Sequence, residues 1–120
     1  MCKAIKVVSL MIVDDNARAR RALKAYLSGL RGFKVIAEAS DGLEAVAKVQ
    51  AQVPDVVLMD CRMPRMDGLE ATRILKRRWH HIRVVILTLY PDCRRDAELA
   101  GADAFLLKGC SSEELTSVLG

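Results

Sequence analysis

Aliphatic runs alternate five times with stretches in which apolar residues recur at helical spacing. Ile5 to Val13 is the first run, and the polar trio Asp14-Asp15-Asn16 ends it. Asn16 is placed to cap a helix with apolar positions Ala22, Leu23, Tyr26, Leu27 and Leu30, closed by Gly32, while Arg18, Arg20, Arg21 and Lys24 fall elsewhere. Phe33 to Ala37 predicts a second strand, and Ser40-Asp41-Gly42 introduces a helix whose apolar positions are Leu43, Val46, Ala47 and Val49. Pro54-Asp55 breaks that helix before a third strand, Val56 to Met59, which runs straight into Asp60. After a loop containing Met63-Pro64, Asp67 starts a helix that turns Leu69, Ala71, Ile74 and Leu75 inward. Its basic tail Lys76-Arg77-Arg78 suits the negative end of the helix dipole. Trp79-His80-His81 leads to a fourth strand, Arg83 to Leu87, ending at Thr88. Pro91-Asp92 opens a polar helix that Gly101 terminates. The fifth strand, Ala104 to Leu107, ends at Lys108, and Ser111 to Glu114 offers a capping box for a last helix with the stripe Leu115, Val118 and Leu119.

Strands that read as unbroken aliphatic runs, each followed by a helix, predict a doubly wound α/β fold: a five-stranded parallel sheet with helices on both faces. Ligands of such sheets bind outside the carboxyl ends of the strands. Four of the five strands end there in a reactive group: Asp14 and Asp15, Asp60, Thr88 and Lys108. Three carboxylates gathered at one edge repel unless a divalent cation and an ammonium offset them, and hard oxygen ligands with room for water suit Mg²⁺. A metal, a hydroxyl donor and a lysine around one carboxylate make a site for a phosphoryl group.

Composition narrows the reading. At 120 residues, with 52% apolar and 28% charged, the chain is one globular domain that needs no disulfide or metal staple, and aromatics at 4% require an aliphatic core. The apolar run Val7 to Val13, interrupted by Ser9, is too short for a bilayer span or a cleavable signal, so a cytoplasmic location is expected. Cys2, Cys61, Cys93 and Cys110 lack metal-ligand spacing and read as reduced thiols, with a redox switch as the alternative. Strand alternation points Cys61 away from the edge that carries Asp60, as a buried thiol. A net charge of +4 admits a nucleic-acid surface, but the basic residues lie on helices without interleaved aromatics, which favours solvated helix faces. His80-His81 reads as a solvated turn, and Trp79 as the residue that staples it to the core.

With these residues in view, the chain resembles the receiver domain of bacterial two-component response regulators. The resemblance rests on Asp14-Asp15, Met59-Asp60, Met63-Pro64, Met66-Asp67-Gly68, Thr88 and the stretch Gly101 to Lys108, in that order and spacing. It implies a CheY-like sheet of strand order 2-1-3-4-5. Asp60 would be the phosphoacceptor, attacking a phosphohistidine of a sensor histidine kinase. Asp14, Asp15, Asp60 and the backbone carbonyl of Arg62 would hold Mg²⁺, and Thr88 and Lys108 would stabilise the phosphoryl group. Thr88 and Phe105 would be the switch residues that change the surface made by the fourth helix, fifth strand and fifth helix. The ending Leu106-Leu107-Lys108 without a following proline, and the tail Cys110 to Leu115, are similar to receivers of the NarL/FixJ type. That similarity implies that residues 1–120 were cut from a longer chain with a C-terminal helix-turn-helix domain. Such a protein regulates transcription, contacts DNA only through that domain, admits a homodimer and has no membrane partner. The resemblance further implies Mg²⁺-dependent self-phosphorylation and slow autodephosphorylation rather than an enzyme that turns over.

Arg62 and Tyr90 each lie two residues beyond a site residue, where the resemblance implies control of phosphate lifetime. Tyr90 either obstructs in-line water or merely packs over its loop. The stretch from Thr88 to Gly101 is a residue or two shorter than in typical family members, and its helix, expected to bury little beyond Leu99, is predicted short and mobile. Two other classes compete. An aspartyl-phosphate phosphatase of the haloacid dehalogenase type would share an Asp nucleophile and Mg²⁺, but needs Asp-x-Asp after a strand and a larger chain. A degenerate receiver acting only as an interaction module would lack a site residue, and none is lost here.

Overall fold

The computed structural model describes residues 6–120; Cys2 and the predicted strand start at Ile5 lie outside the described residues. The elements follow in the predicted order: β1 (Val8–Val13), α1 (Ala17–Ser28), β2 (Phe33–Ala39), α2 (Gly42–Ala51), β3 (Val56–Met59), α3 (Gly68–Arg78), β4 (Arg83–Thr88), a 3₁₀ turn (Pro91–Cys93), α4 (Arg94–Ala100), β5 (Ala104–Leu107) and α5 (Ser112–Leu119). All strand pairs are parallel and the order is β2-β1-β3-β4-β5.

Strand parity sorts the core into two layers. Met11 and Val13 of β1, Val57 and Met59 of β3 and Val84 and Ile86 of β4 pack with Ala45, Val49, Ala71, Leu75 and Ala97 of α2, α3 and α4. The intervening residues Leu10, Ile12, Val56, Leu58, Val85 and Leu87 pack with Leu27 of α1 and Leu115 and Leu119 of α5. Every β3 side chain is buried, as a central strand covered on both faces requires.

Local chemistry explains the boundaries. Asn16, Asp41, Asp67 and Ser111 each accept a backbone N–H three residues on, capping α1, α2, α3 and α5. Four sequence expectations about the helices are corrected. The first helix ends at Ser28 with Gly29 as its cap, and Gly32 instead takes a left-handed turn (φ +91°) into β2. In α2 the buried residues are Ala45 and Val49, while Leu43 is 50% exposed and Ala47 faces solvent. In α4 the buried residues are Ala97 and Ala100, and Leu99 is 73% exposed. Leu43 and Leu99 both lie two positions, about 200° of helix rotation, from a buried alanine, so the larger side chain faces away. Ala22 and Tyr26 are likewise exposed, and α1 meets the sheet through Leu23 and Leu27. Trp79 packs against the core, and His80 and His81 are exposed, as expected. None of the helices among the described residues is long and apolar enough to cross a membrane.

Candidate functional site

Sheet register assembles the site. Val13 pairs with Met59 and the Asp60 N–H donates to the Val13 carbonyl at 2.9 Å, so Asp14 and Asp60 emerge side by side one residue past the ladder. On the other flank Thr88 pairs with Leu107, and the Lys108 N–H donates to the Thr88 carbonyl at 2.8 Å. The Lys108 ammonium thereby reaches across to both acids, 2.7 Å from Asp14 Oδ2 and 3.1 Å from Asp60 Oδ2.

Asp14 and Asp60 are 4% and 7% exposed, whereas Asp15 is open to solvent. One oxygen of each of Asp14, Asp15 and Asp60 lies within 4.8 Å of the others. Backbone N–H groups also hold two of these acids: Asp60 Oδ1 accepts the Cys61 N–H at 2.7 Å, and Asp14 Oδ1 accepts the Asn16 N–H at 2.9 Å. Arg20 of α1 donates to the Asp14 carbonyl at 2.5 Å and pairs with Glu38, so this arginine braces the site where a freely solvated one was expected. Burial alone would lower the pKa of Lys108, but its hydrogen bonds to Asp14 and Asp60 outweigh that and raise it. Its single positive charge still leaves two negative charges uncompensated among three carboxylates. Hard oxygen donors with that charge deficit fit a divalent cation.

A cleft of about 400 Å³ joins these groups to Asn16, Arg62, Leu89 and Tyr90. Within its lining the Arg62 guanidinium stacks 3.9 Å above the Tyr90 ring and pairs with Asp92 at 2.7 Å. Asp92 and Leu89 were not foreseen as part of this edge, because both follow the strand end in a loop whose path no periodicity specifies. Thr88 is fully buried, and its hydroxyl accepts the Tyr90 N–H at a long 3.4 Å. Phe105 stands apart from the cleft, paired with Ile86 across the sheet and half-buried against the core, with the Arg94 guanidinium 5.6 Å over its ring.

Cys61, one residue past Asp60, falls on the opposite parity and enters the core beside Cys93. Burial first, and the adjacent Cys93 thiol second, push its pKa far above the ordinary thiol range, which makes it a poor nucleophile. Cys61, Cys93 and Cys110 are all free thiols. Sequence reading also passed over the partnership of Asp41, seen only as a helix start, with Arg65, whose guanidinium it binds across two loops.

Comparison with known proteins gives a consistent answer. Residues 10–120 match the response regulator receiver domain. The response regulator UvrY of Escherichia coli O157:H7 is 36% identical over 94% of this chain and 53% of its own length. VraR of Staphylococcus aureus is 33% identical over 93% and 54%, so the chain spans about half the length of the curated relatives it matches. A LuxR-family response regulator from Aurantimonas superposes with a TM-score of 0.87 at 30% identity, over 93% of this chain and 81% of that one. A LuxR-family DNA-binding response regulator from Staphylococcus aureus gives 0.86 at 31%, over 92% and 94%. A sheet edge that gathers three carboxylates and a lysine, on this topology and with these relatives, places the chain in the response regulator receiver domain family, alongside the receivers of NarL/FixJ (LuxR-type) regulators.

Proposed function

We propose that Asp60 is the phosphoacceptor of a two-component switch, charged by a sensor histidine kinase. The observation that carries this is the Lys108 ammonium bridging Asp60 and Asp14 at the strand ends, with Asp15 within reach. An Asp60 carboxylate oxygen forms the new P–O bond as the P–N bond of the donor phosphohistidine breaks, and the leaving imidazole takes up a proton. Asp14, Asp15, Asp60 and the Arg62 carbonyl are the proposed Mg²⁺ ligands, and the ion, when bound, neutralises charge on the transferring phosphoryl oxygens. Lys108 pairs with one of those oxygens, and Thr88 hydrogen-bonds another once its hydroxyl exchanges the long contact to Tyr90 N–H for the phosphoryl group.

That movement of Thr88 is the proposed trigger. It draws Phe105 inward and repacks the surface of α4, β5 and α5, where Leu99 and Leu107 are exposed. The Arg62–Tyr90 stack closes the mouth of the cleft and slows attack by water, which sets the phosphate lifetime. The switch is cytoplasmic and self-modifying rather than an enzyme that turns over. In its complete protein it drives a C-terminal helix-turn-helix domain that binds DNA and regulates transcription, with homodimerisation as one means of output. The length of the relatives supports a further segment in the complete protein, since this chain spans only 53% of UvrY.

The test is intact mass spectrometry after incubation with acetyl phosphate and Mg²⁺. A single phosphoryl adduct that disappears in Asp60→Asn is the expected result. Steady release of phosphate with turnover would indicate a phosphatase, and no adduct in the unaltered chain would leave an interaction module.

A further inference from the structure

We propose that Asp41 and Arg65 form a clamp that positions the loop between β3 and α3, and with it the Arg62 carbonyl, for a divalent cation; the inference rests on the metal reading given above. Asp41 is 1% exposed and stands outside the cleft, so its carboxylate is not itself a ligand of the site. Capping α2 occupies only one of its oxygens, Oδ1, which accepts the Glu44 N–H at 2.9 Å. The other, Oδ2, accepts from Arg65 Nη2.

Arg65 is the one non-glycine residue with positive φ among the described residues, at +65°. It sits at the centre of a three-residue turn closed by the Met66 N–H on the Pro64 carbonyl at 2.8 Å. A turn of this kind with positive φ is rare and strained, and strain of this sort persists only where the surroundings over-determine it. Here they do. The next residue is held by the same helix start, because the Gly42 N–H donates to the Met66 carbonyl at 2.9 Å. A Cβ on Gly42 would stand 2.6 Å from that carbonyl oxygen, so only glycine permits the approach.

The far end of the loop is fixed as firmly. The Gly68 N–H donates to the Cys61 carbonyl at 2.9 Å, and a Cβ on Gly68 would overlap the Asp60 carbonyl oxygen. Between the two anchors lie only Arg62, Met63 and Pro64, and the Pro64 carbonyl is itself held by the Met66 N–H. An ion pair that traps Arg65 in its turn therefore fixes the direction of the peptide groups just before it. Asp41 and Arg65 are positioning residues, acting on the site through backbone.

Two variants separate this role from helix capping. Asp41→Asn keeps a carbonyl oxygen for the α2 cap but turns the second acceptor into an amide donor facing Arg65. Arg65→Gly keeps the left-handed backbone, without its strain, and removes the guanidinium. Isothermal titration of each with Mg²⁺ is expected to show a dissociation constant raised about tenfold, the low end for groups that orient metal ligands. Amide exchange of the metal-free proteins should quicken at Met66, whose N–H closes the turn on the Pro64 carbonyl, while the amides of Ala45 to Ala51 keep their protection. Mg²⁺ affinity within twofold of the unaltered chain in both variants would overturn the clamp. So would Asp41→Asn losing protection in α2 but not in the loop, since Asp41 would then be a cap alone. An unaltered chain that takes up no Mg²⁺ would bring down the metal reading, and this inference with it.

Discussion

Lys108 carries more of the site than any other single side chain, because one ammonium holds two buried carboxylates together. Replacing it with alanine leaves Asp14 and Asp60 facing each other unpaired, and should cost about 1–3 kcal/mol in urea unfolding at pH 7 without divalent cations. Added Mg²⁺ should recover part of that loss if the cation takes over the neutralisation; an equal loss with and without Mg²⁺ would contradict it. Asp41 supports a pH prediction. Its hydrogen bond from the Glu44 N–H, opposed by burial and reinforced by Arg65, holds its pKa below the ordinary 3.8. A depressed carboxylate pKa adds stability that is present above pH 3.8 and lost as pH falls through the folded-state value. Asp41→Asn should therefore be less stable than the unaltered chain at pH 6, with the gap narrowing below pH 3.8 in acid unfolding curves. At Tyr90 the expected outcome is a several-fold shorter phosphoprotein half-life in Tyr90→Ala, measured by loss of the mass adduct. An unchanged half-life would reduce Tyr90 to loop packing. The residues on strand ends were legible in the sequence because each follows a run that could only be a strand. Asp41–Arg65 and Arg62–Asp92 were not, since pairs that meet across separate loops have no period to betray them.

Among the elements, the start of α3 is the least forgiving. Gly68 lies so close to the Asp60 carbonyl that Gly68→Ala must displace either the helix or the Asp60 backbone. A loss of about 3 kcal/mol or more in chemical denaturation is expected, at the upper end for overpacking a tight site. The opposite extreme is α4, seven residues long and seated on the core by two alanines. Its amides should exchange well before those of β3, and equal protection in hydrogen exchange would contradict the expectation of a mobile helix. The five strands and the helix starts were legible because β-branched runs and Asn, Asp or Ser caps act locally, although β2 runs two residues past its expected end at Ala37 and the first helix closes at Gly29 rather than Gly32. The inward faces of α2 and α4 were misread, with Leu43 and Leu99 ranked above Ala45 and Ala97. Apolar size was a poor guide there, since close approach of a helix to its neighbours selects small residues for the contact.

At the scale of the molecule, the sheet separates chemistry from its support. Asp14, Asp15, Asp60 and Lys108 share one edge, while Lys6, Arg31, His81 and Arg83, with the single acid Asp55, line a depression of about 540 Å³ at the opposite end of the strands. The net charge of +4 thus conceals an acidic pole and a basic one, so composition alone was a weak guide to partners. Topology was readable because continuous aliphatic strands alternating with helices leave few arrangements open. Parity along β3 has a consequence for how this chain can change over time. Asp60 and Cys61 differ by one position and face opposite layers. Adding or deleting a single residue in that strand would exchange them, burying a carboxylate in the aliphatic layer and offering a thiol to the cleft. Length variation among related sequences is therefore expected in the loops at the basic pole and excluded from Val56–Met59, and a library of one-residue insertions scored for the phosphoryl adduct would map that boundary.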